Sequence, residues 1–263
     1  MARLDLDHIA LAAPEAQPVV DLLVGELGAT ALFGKEPPDF RWVLLRVGDG
    51  QAGMNLELLE PTDDPSSFLR RFLDRRGPGG HHLTFKTDDL EAELARVREG
   101  GYELVDVHLD DPTWREAFLR PRDAQGTIVQ LASSAIERPP MQELLRQARE
   151  QGAASLRELA RGAGESRVWW NERPPREGEP VRLERVVLRT ASLDGAARLY
   201  RDTLGGEAIE EGEGSIELRW PGGGRLRLER SDGAPAGIAR LEARGPEELE
   251  LVLATVPLLI SSG

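Results

Sequence analysis

The N-terminal half of the chain repeats one order of predicted elements, and this repeat limits the possible folds more than any other feature of the sequence. In each copy, a segment with the alternation of a strand precedes a segment with helical periodicity and then three more strands. The first copy predicts elements at 4–12, 17–27, 29–34, 40–47 and 54–60. The second copy predicts them at 80–87, 88–99, 102–108, 114–120 and 126–132, after a joining helix at 65–76. The first 134 residues are therefore predicted to contain two βαβββ modules.

The same order begins a third time after residue 181. A fourth copy begins with GIARLEARG and is expected to lack its last strands. We predict a domain of two modules at 1–136, a helical and proline-rich connector at 137–180, and a degenerate, incomplete copy of the domain at 181–263. The predicted fold class is α+β, with tandem βαβββ modules that form a curved mixed sheet.

Charge and composition exclude several classes of function. The formal net charge of −13 repels nucleic acid and anionic lipid, so neither nucleic acid nor a membrane is expected as a partner. The chain has no cysteine, which excludes disulfides, thiolate nucleophiles and zinc–thiolate sites. The N-terminus has no signal-peptide pattern, and no apolar stretch reaches the roughly 18 residues of a membrane span. We expect a protein of the cytoplasm.

Two of the four histidines occupy matching places in the two modules. His8 lies on the first strand of the first module, and His82 lies on the first strand of the second, 74 positions later. On the last strands, Glu57 and Gln130 also match, 73 positions apart. A charged glutamate in an apolar strand needs compensation when it is buried, and a cation provides it. These four residues predict a site for one divalent ion, with zinc, cobalt, manganese, nickel and iron all compatible with the donors.

Neighbouring polar residues are assigned less specific roles. Strand alternation predicts that His81 points away from His82 and is structural. Trp114, Arg120 and Arg122 precede the last strand of the second module and are candidates for binding a carboxylate or an aromatic group of a substrate. The alternative for these three is surface charge and core packing.

Four segments of the N-terminal half resemble the vicinal oxygen chelate superfamily, which includes glyoxalase I, bleomycin-resistance proteins, extradiol dioxygenases and methylmalonyl-CoA epimerase. The segments are LDHIALAA, NLELLEP, GHHLTFKTDDLEAELARVREGGYELVD and EAFLRPRDAQGTIVQLA, and they look most like methylmalonyl-CoA epimerase. This resemblance implies a glyoxalase-like fold, in which the curved mixed sheet surrounds a cleft. It also implies that His8, Glu57 and His82 are metal ligands. Gln130 stands where the epimerases have a ligating glutamate that also transfers protons. An amide oxygen can ligate a metal but cannot act as a base, so Glu57 is the remaining candidate for the catalytic base.

The resemblance implies a metal-dependent enzyme that transfers a proton next to a carbonyl or thioester, on a small carbonyl or acyl-thioester substrate. An extradiol-type dioxygenase and a non-catalytic protein that binds a small molecule or antibiotic are the alternatives. In the C-terminal copy, Arg185, Arg227 and a residue near Ala239 match the three ligand positions, so no metal is expected there. This copy would act as an internal pseudo-dimer partner in a monomer, or the chain would form a homodimer.

Overall fold

The computed structural model describes residues 4–50, 53–162, 164–174, 176 and 178–262. These residues form two curved mixed sheets, and the connector between them contains helices. Among the residues described, no helix is both long and apolar enough to cross a membrane.

The two modules of the N-terminal half form as the repeat predicts. The first contains β1 (Asp5–Ala12), α1 (Gln17–Gly25), β2 (Thr30–Glu36), β3 (Phe40–Val47) and β4 (Met54–Pro61). After the joining helix α2 (Phe68–Arg76), the second contains β5 (Gly79–Lys86), α3 (Leu90–Glu99), β6 (Leu104–His108), β7 (Arg115–Leu119) and β8 (Ile128–Ser133). The α+β fold of tandem modules is confirmed.

The strands that carry the predicted ligands lie at the centre of the N-terminal sheet. The strand order is β6-β7-β8-β5-β1-β4-β3-β2, and the short strand β9 of the connector is added at the end. β1 pairs in parallel with β4 and antiparallel with β5, so the two modules meet at β1 and β5. β5 pairs in parallel with β8. His8, Glu57 and His82 therefore lie on three adjacent strands, and Gln130 lies on the strand next to them.

The C-terminal copy repeats this topology in a seven-stranded sheet of order β11-β12-β13-β10-β14-β16-β15. It is incomplete, as predicted, but the expectation that it lacks its last strands is wrong. Only residues 246–248 separate β14 from β15, so this part lacks the helix and one strand of a full module. The residues LELVL alternate in the pattern of a strand and form β15. This strand joins the sheet after β14 without an intervening helix. Its elements are β10 (Arg182–Thr190), α5 (Leu193–Ala197) continued by a π-helix (Arg198–Thr203), β11 (Glu207–Glu211), β12 (Ser215–Arg219), β13 (Arg225–Arg230), β14 (Gly237–Gly245), β15 (Leu249–Leu253) and β16 (Val256–Ser262).

The connector covers one face of the N-terminal sheet. It contains α4 (Met141–Gln151), a 3₁₀-helix (Ala153–Leu159) and β9 (Glu165–Ser166), which pairs with β2. Leu144 and Leu156 pack in one apolar cluster with Ala10 and Leu44 of the sheet. Both sheet residues are cross-strand neighbours of Glu57, so the connector covers the face on which the predicted ligands lie.

The two halves of the chain share a second apolar core on the other face. The ring of Phe85 from β5 contacts the ring of Trp220, with 5.0 Å between the centroids. The hydroxyl of Tyr200 donates a hydrogen bond to the carbonyl of Ala124 across the same boundary, at 3.0 Å. At Gly126 a Cβ would lie 2.4 Å from the carbonyl of Ala236, so this close approach of the two halves requires glycine.

The shared core predicts that one C-terminal side chain stabilises both halves. Trp220 is 1% exposed and packs on Phe85 of the other half, so W220A removes a large buried ring and leaves a cavity. We expect the free energy of unfolding to fall by about 3–5 kcal/mol in a urea titration, with both halves unfolding in one transition.

The matched control is V252A, because Val252 is 60% exposed and its truncation is expected to change stability by less than about 0.5 kcal/mol. A loss below about 1 kcal/mol for W220A, or a separate early transition of the C-terminal half, would contradict a shared core.

Candidate metal centre

Three predicted ligands converge at one point. The donor atoms of His8, Glu57 and His82 all lie within 4.8 Å of one another. The Oε2 atom of Glu57 is 3.4 Å from Nε2 of His8 and 3.5 Å from Nε2 of His82. All three side chains are buried, with exposures of 0%, 5% and 5% in chain order. The structure therefore brings these three side chains together, and metal binding by them stays a prediction.

The register of the central strands produces this convergence. Ala10 on β1 pairs with Glu57 on one side and with His82 on the other, so both side chains lie on the face of Ala10. His8 precedes Ala10 by two residues and shares that face because side chains alternate along a strand. Two modules paired at β1 and β5 therefore bring three donors together.

The separations fit a bound divalent cation. In a tetrahedral site with bonds of 2.0–2.1 Å, neighbouring donor atoms lie about 3.3–3.4 Å apart. The two measured separations from Glu57 are close to this value. The Nε2 atom of His82 is buried and has no hydrogen-bond partner in the described part of the chain, which is costly for a polar atom unless something else binds it. Two imidazole nitrogens and one carboxylate suit zinc, manganese, iron, cobalt and nickel.

In His8 and His82, the ring nitrogen that faces away from Glu57, Nδ1, contacts a neighbouring side chain. Nδ1 of His8 lies 2.7 Å from Oδ2 of Asp7, an arrangement that directs Nε2 towards the site. Nδ1 of His82 lies 2.7 Å from Nδ1 of His81. Fixing the outer nitrogen of a histidine orients the ring and raises its basicity towards a metal.

Charges around Glu57 determine the protonation of the centre. Burial raises the pKa of Glu57, but His8, Arg161 and His82 outweigh burial and lower it to about 2. Burial lowers the pKa of His8, but Glu57 and Asp7 outweigh burial and raise it above 6.5. Burial and the nearby charge of His81 keep the pKa of His82 well below 6.5. In the absence of a cation, the raised pKa of His8 therefore favours a proton on its ring beside Glu57.

The prediction for His81 is wrong, because its side chain does not point away from the site. Ala10 pairs with His82 and Leu11 with Gly80, so His81 is the extra residue of a β-bulge. The bulge breaks the alternation, and His81 lines the same cavity as His82. Burial lowers the pKa of His81 to about 4. Its ring packs against Phe72 of α2, with 4.6 Å between the centroids.

Gln130 is linked to the centre through Thr84. The hydroxyl of Thr84 donates to Oε1 of Gln130 at 2.5 Å and lies 2.9 Å from Nε2 of His8. Nε2 of Gln130 donates to Oε2 of Glu116 at 2.5 Å. Both ends of the amide are therefore engaged in hydrogen bonds, and ligation by Gln130 stays a prediction.

Glu116 is a carboxylate that the sequence reasoning missed. It lies on β7, the neighbour of the strand that carries Gln130, and its side chain is half-buried in the cavity. Oε2 of Glu116 also accepts from the indole nitrogen of Trp114 at 2.7 Å. Burial raises the pKa of Glu116, and the hydrogen bonds from Trp114 and Gln130 only partly oppose the rise.

Arg161 also enters the site, although nothing in the connector sequence marks it as functional. It follows the 3₁₀-helix and is only 4% exposed. Its Nη2 atom donates to Oε1 of Glu57 at 3.0 Å and lies 3.3 Å from Nε2 of His8. Because Arg161 binds Oε1, the other oxygen of Glu57 is left facing the two histidines.

The cavity beside the centre has a volume of about 640 Å³. Of the three predicted substrate-binding residues, Trp114 and Arg120 line it. Arg122 does not line it but lies at the surface, where it pairs with Glu103 and Asp123. A larger and more open groove, of about 980 Å³, lies elsewhere and lacks the three converging donors.

The equivalent positions of the C-terminal sheet carry arginines. The pairing of β10 with β13 and β14 places Arg185 at the position of His8, Arg227 at that of Glu57 and Arg240 at that of His82. The predicted match near Ala239 is thus Arg240, because Ala239 itself occupies the bulge. Guanidinium groups have no lone pair to offer a metal, and the three arginines instead pair with Glu217, Glu229 and Glu242.

Comparisons with known proteins agree with this architecture. Residues 7–118 match the family model of the glyoxalase/bleomycin resistance protein/dioxygenase superfamily. The ethylmalonyl-CoA/methylmalonyl-CoA epimerase of Cereibacter sphaeroides is 25% identical over 130 residues, which are 48% of this chain and 95% of the relative.

Two solved structures share the fold of nearly the whole chain. A hypothetical protein from Staphylococcus aureus has a TM-score of 0.65 at 10% identity, with 99% of each chain covered. A mutant of 4-hydroxymandelate synthase from Streptomyces coelicolor has a TM-score of 0.61 at 17% identity, with 94% of this chain and 72% of that chain covered. His8, Glu57 and His82 all lie within residues 7–118, the part of the chain that matches the glyoxalase/bleomycin resistance protein/dioxygenase superfamily.

Proposed function

We propose that the N-terminal domain is a metal-dependent enzyme that transfers a proton next to a carbonyl or thioester group. The observation that supports it most is the convergence of His8, Glu57 and His82 beside a cavity that contains a second carboxylate, Glu116. A divalent cation in this site would supply a Lewis acid that polarises a carbonyl oxygen. The similarity to an epimerase of acyl-CoA substrates favours an acyl thioester or a related carbonyl compound.

The two carboxylates suit different roles. Glu57 has a pKa of about 2 and is paired with Arg161, so it is a weak base and a good anionic ligand. Glu116 is half-buried with a raised pKa, which brings it closer to the range where a carboxylate exchanges protons near neutral pH. We therefore propose Glu57 as the ligand and Glu116 as the proton acceptor, in place of the base role predicted for Glu57.

Removal of one donor tests the metal site. We expect purified wild-type protein, dialysed against zinc or cobalt, to retain about one ion per chain, and H82A to bind it more than about 100-fold more weakly. The measurement is elemental analysis combined with a titration of each metal. H108A is the matched control, because His108 is an exposed histidine at the end of β6. Equal metal contents of H82A and wild type would exclude the site.

Cation binding should depend on pH through His8. Without metal, the protonated ring donates from Nδ1 to Asp7 and from Nε2 towards Thr84 and Glu57, and a cation must replace the proton on Nε2. Because the pKa of His8 is raised, affinity should increase about tenfold per pH unit from pH 6.5 upward and level off only above that raised pKa.

Calorimetry in buffers of different ionisation enthalpy should detect about one proton released per cation bound at pH 6.5. The control H108A should show the same release. An affinity that is constant between pH 6.5 and about 8 would contradict a protonated His8 in the metal-free centre.

The proposed base gives a test of activity. We expect the cobalt-loaded protein to exchange the α-proton of methylmalonyl-CoA with deuterium from the solvent, measured by mass spectrometry, and E116Q to lower the rate by about 10²–10⁴-fold. E103Q is the control, because Glu103 is an exposed carboxylate outside the cavity. Metal content should be the same in all three proteins. An unchanged rate in E116Q would remove Glu116 from the mechanism.

An extradiol-type dioxygenase is the second candidate, and the donor set favours it specifically. Two histidines and one carboxylate are the ligands of non-haem iron oxygenases that keep open coordination positions. Consumption of oxygen with a catechol and ferrous ion, together with no proton exchange in the cobalt protein, would select this reaction over the first.

A further inference from the structure

The guanidinium of Arg161 is held by aromatic rings from both modules. Its central carbon lies 4.1 Å from the ring centroid of Trp114 and 4.9 Å from that of Trp42. Trp42 lies on β3, and Trp114 lies just before β7. Indole faces attract a cation and fix the plane of the guanidinium. The donors of Arg161 are therefore fixed in direction before a ligand arrives.

The backbone on both sides of Arg161 is also fixed. Arg138 donates to the carbonyl of Leu159 at 3.1 Å, and the ammonium of Lys35 donates to the carbonyl of Gly162. Arg161 lies between these two points, so its position does not depend on a free loop. Preorganised donors of this kind lose little conformational entropy on binding a ligand.

One donor of Arg161 has no acceptor. Nη2 is used by Glu57, but Nη1 is buried and makes no hydrogen bond among the described residues. A buried guanidinium N–H without a partner is costly, because it has lost water and gained nothing in return. The side chain lines the cavity, where a ligand oxygen could supply the missing acceptor.

The free N–H of Arg161 favours an anionic acceptor. The carboxylate of Glu57 is already paired with Nη2 of Arg161 at 3.0 Å and faces His8 and His82 with its other oxygen. A carboxylate forms a stronger, charge-assisted hydrogen bond with a guanidinium N–H than a neutral oxygen does. A carboxylate on the ligand would therefore satisfy Nη1 better than a neutral group.

One part of the cavity suits an apolar group. Its walls include the side chains of Phe40, Leu59, Phe118 and Ile128. Charged and polar side chains also line the cavity, among them Arg71, Asp106, His108, Glu116 and Arg120. A ligand that fits this lining therefore carries an apolar group beside its polar ones. The volume of about 640 Å³ is that of a small-molecule site.

We infer that Arg161 is the carboxylate-recognising residue of this cavity, and that the ligand is a small organic acid or acyl thioester whose carboxylate accepts from Nη1 and which also carries an apolar group. The inference rests on the proposed function in one respect, because it takes the same cavity as the substrate site. It restricts the carbonyl and thioester compounds considered above to those that carry a carboxylate close to the reacting carbon.

A pair of probes of nearly equal shape tests this inference. Phenylacetate and phenylacetamide differ in charge but share the phenyl group. Both can be titrated by calorimetry or by the change in tryptophan fluorescence, because Trp42 and Trp114 line the cavity. We expect wild type to bind phenylacetate at least about tenfold more tightly than phenylacetamide. In R161M the preference should disappear, with the affinity for phenylacetamide within about threefold of wild type. R161K should retain part of the preference, because it keeps the charge and loses the planar fork.

Three controls make the outcome specific. R219M removes an exposed positive charge at the end of β12 in the C-terminal sheet. It should leave the preference for phenylacetate over phenylacetamide unchanged. Near-ultraviolet circular dichroism should show native packing in each variant. Each titration is repeated after chelator treatment, because recognition by Arg161 should persist, though weaker, without a metal.

The results separate this inference from the proposed function. An Arg161-dependent preference in a protein that binds no metal would retain the inference and reject the metal-dependent reaction. A protein that binds metal at His8, Glu57 and His82 but shows the same preference in R161M would reject the inference alone. Equal affinity of wild type for the two probes, or a Kd for phenylacetate above about 10 mM, would also overturn it.

Discussion

The carboxylate of Glu57 is buried in the middle of an apolar sheet, and the surrounding residues compensate that one charge. An isolated buried carboxylate costs several kcal/mol, so it persists only with partners of opposite charge. Here Arg161 binds one oxygen, and His8 and His82 face the other. The raised pKa of His8 follows from this arrangement, because a proton on His8 partly replaces the charge that a metal would supply. The same geometry therefore favours a proton on His8 and would suit a divalent cation in its place.

The sequence predicts much of the fold and the three converging donors, because both follow from the repeat. Two modules with equal spacing pair at their first strands, and this pairing alone places His8, Glu57 and His82 on one face. His81 shows where alternation fails. A single bulged residue reverses the direction of one side chain, and the sequence HH contains no signal for a bulge. The missing parts of the last module were also misassigned, because a short alternating segment such as LELVL does not reveal which strand of the module it forms.

Glu116 and Arg161 could not be placed from sequence for a different reason. Glu116 reaches the centre only because β7 pairs with β8, where Phe118 lies opposite Gln130. Arg161 depends on the packing of α4 and the 3₁₀-helix against the sheet, which tertiary contacts determine and local periodicity does not. Trp114 contacts both residues, by a hydrogen bond to Glu116 and a cation–π contact with Arg161. The sequence thus predicts the candidate metal donors. It does not predict the residues that would recognise a substrate, because non-local packing brings them to the site.

The C-terminal sheet shows that the scaffold alone does not make such a site. Its register and its bulge match those of the N-terminal sheet, yet the three donor positions hold Arg185, Arg227 and Arg240. These arginines are about one-quarter exposed and pair with glutamates on neighbouring strands, so water and local ion pairs satisfy their charge. In the N-terminal sheet the connector covers the equivalent face and removes water, which makes each charge more costly and each electrostatic interaction stronger. The connector supplies both the cover and Arg161, so the centre depends on three parts of the chain: two modules that provide donors and a connector that buries them.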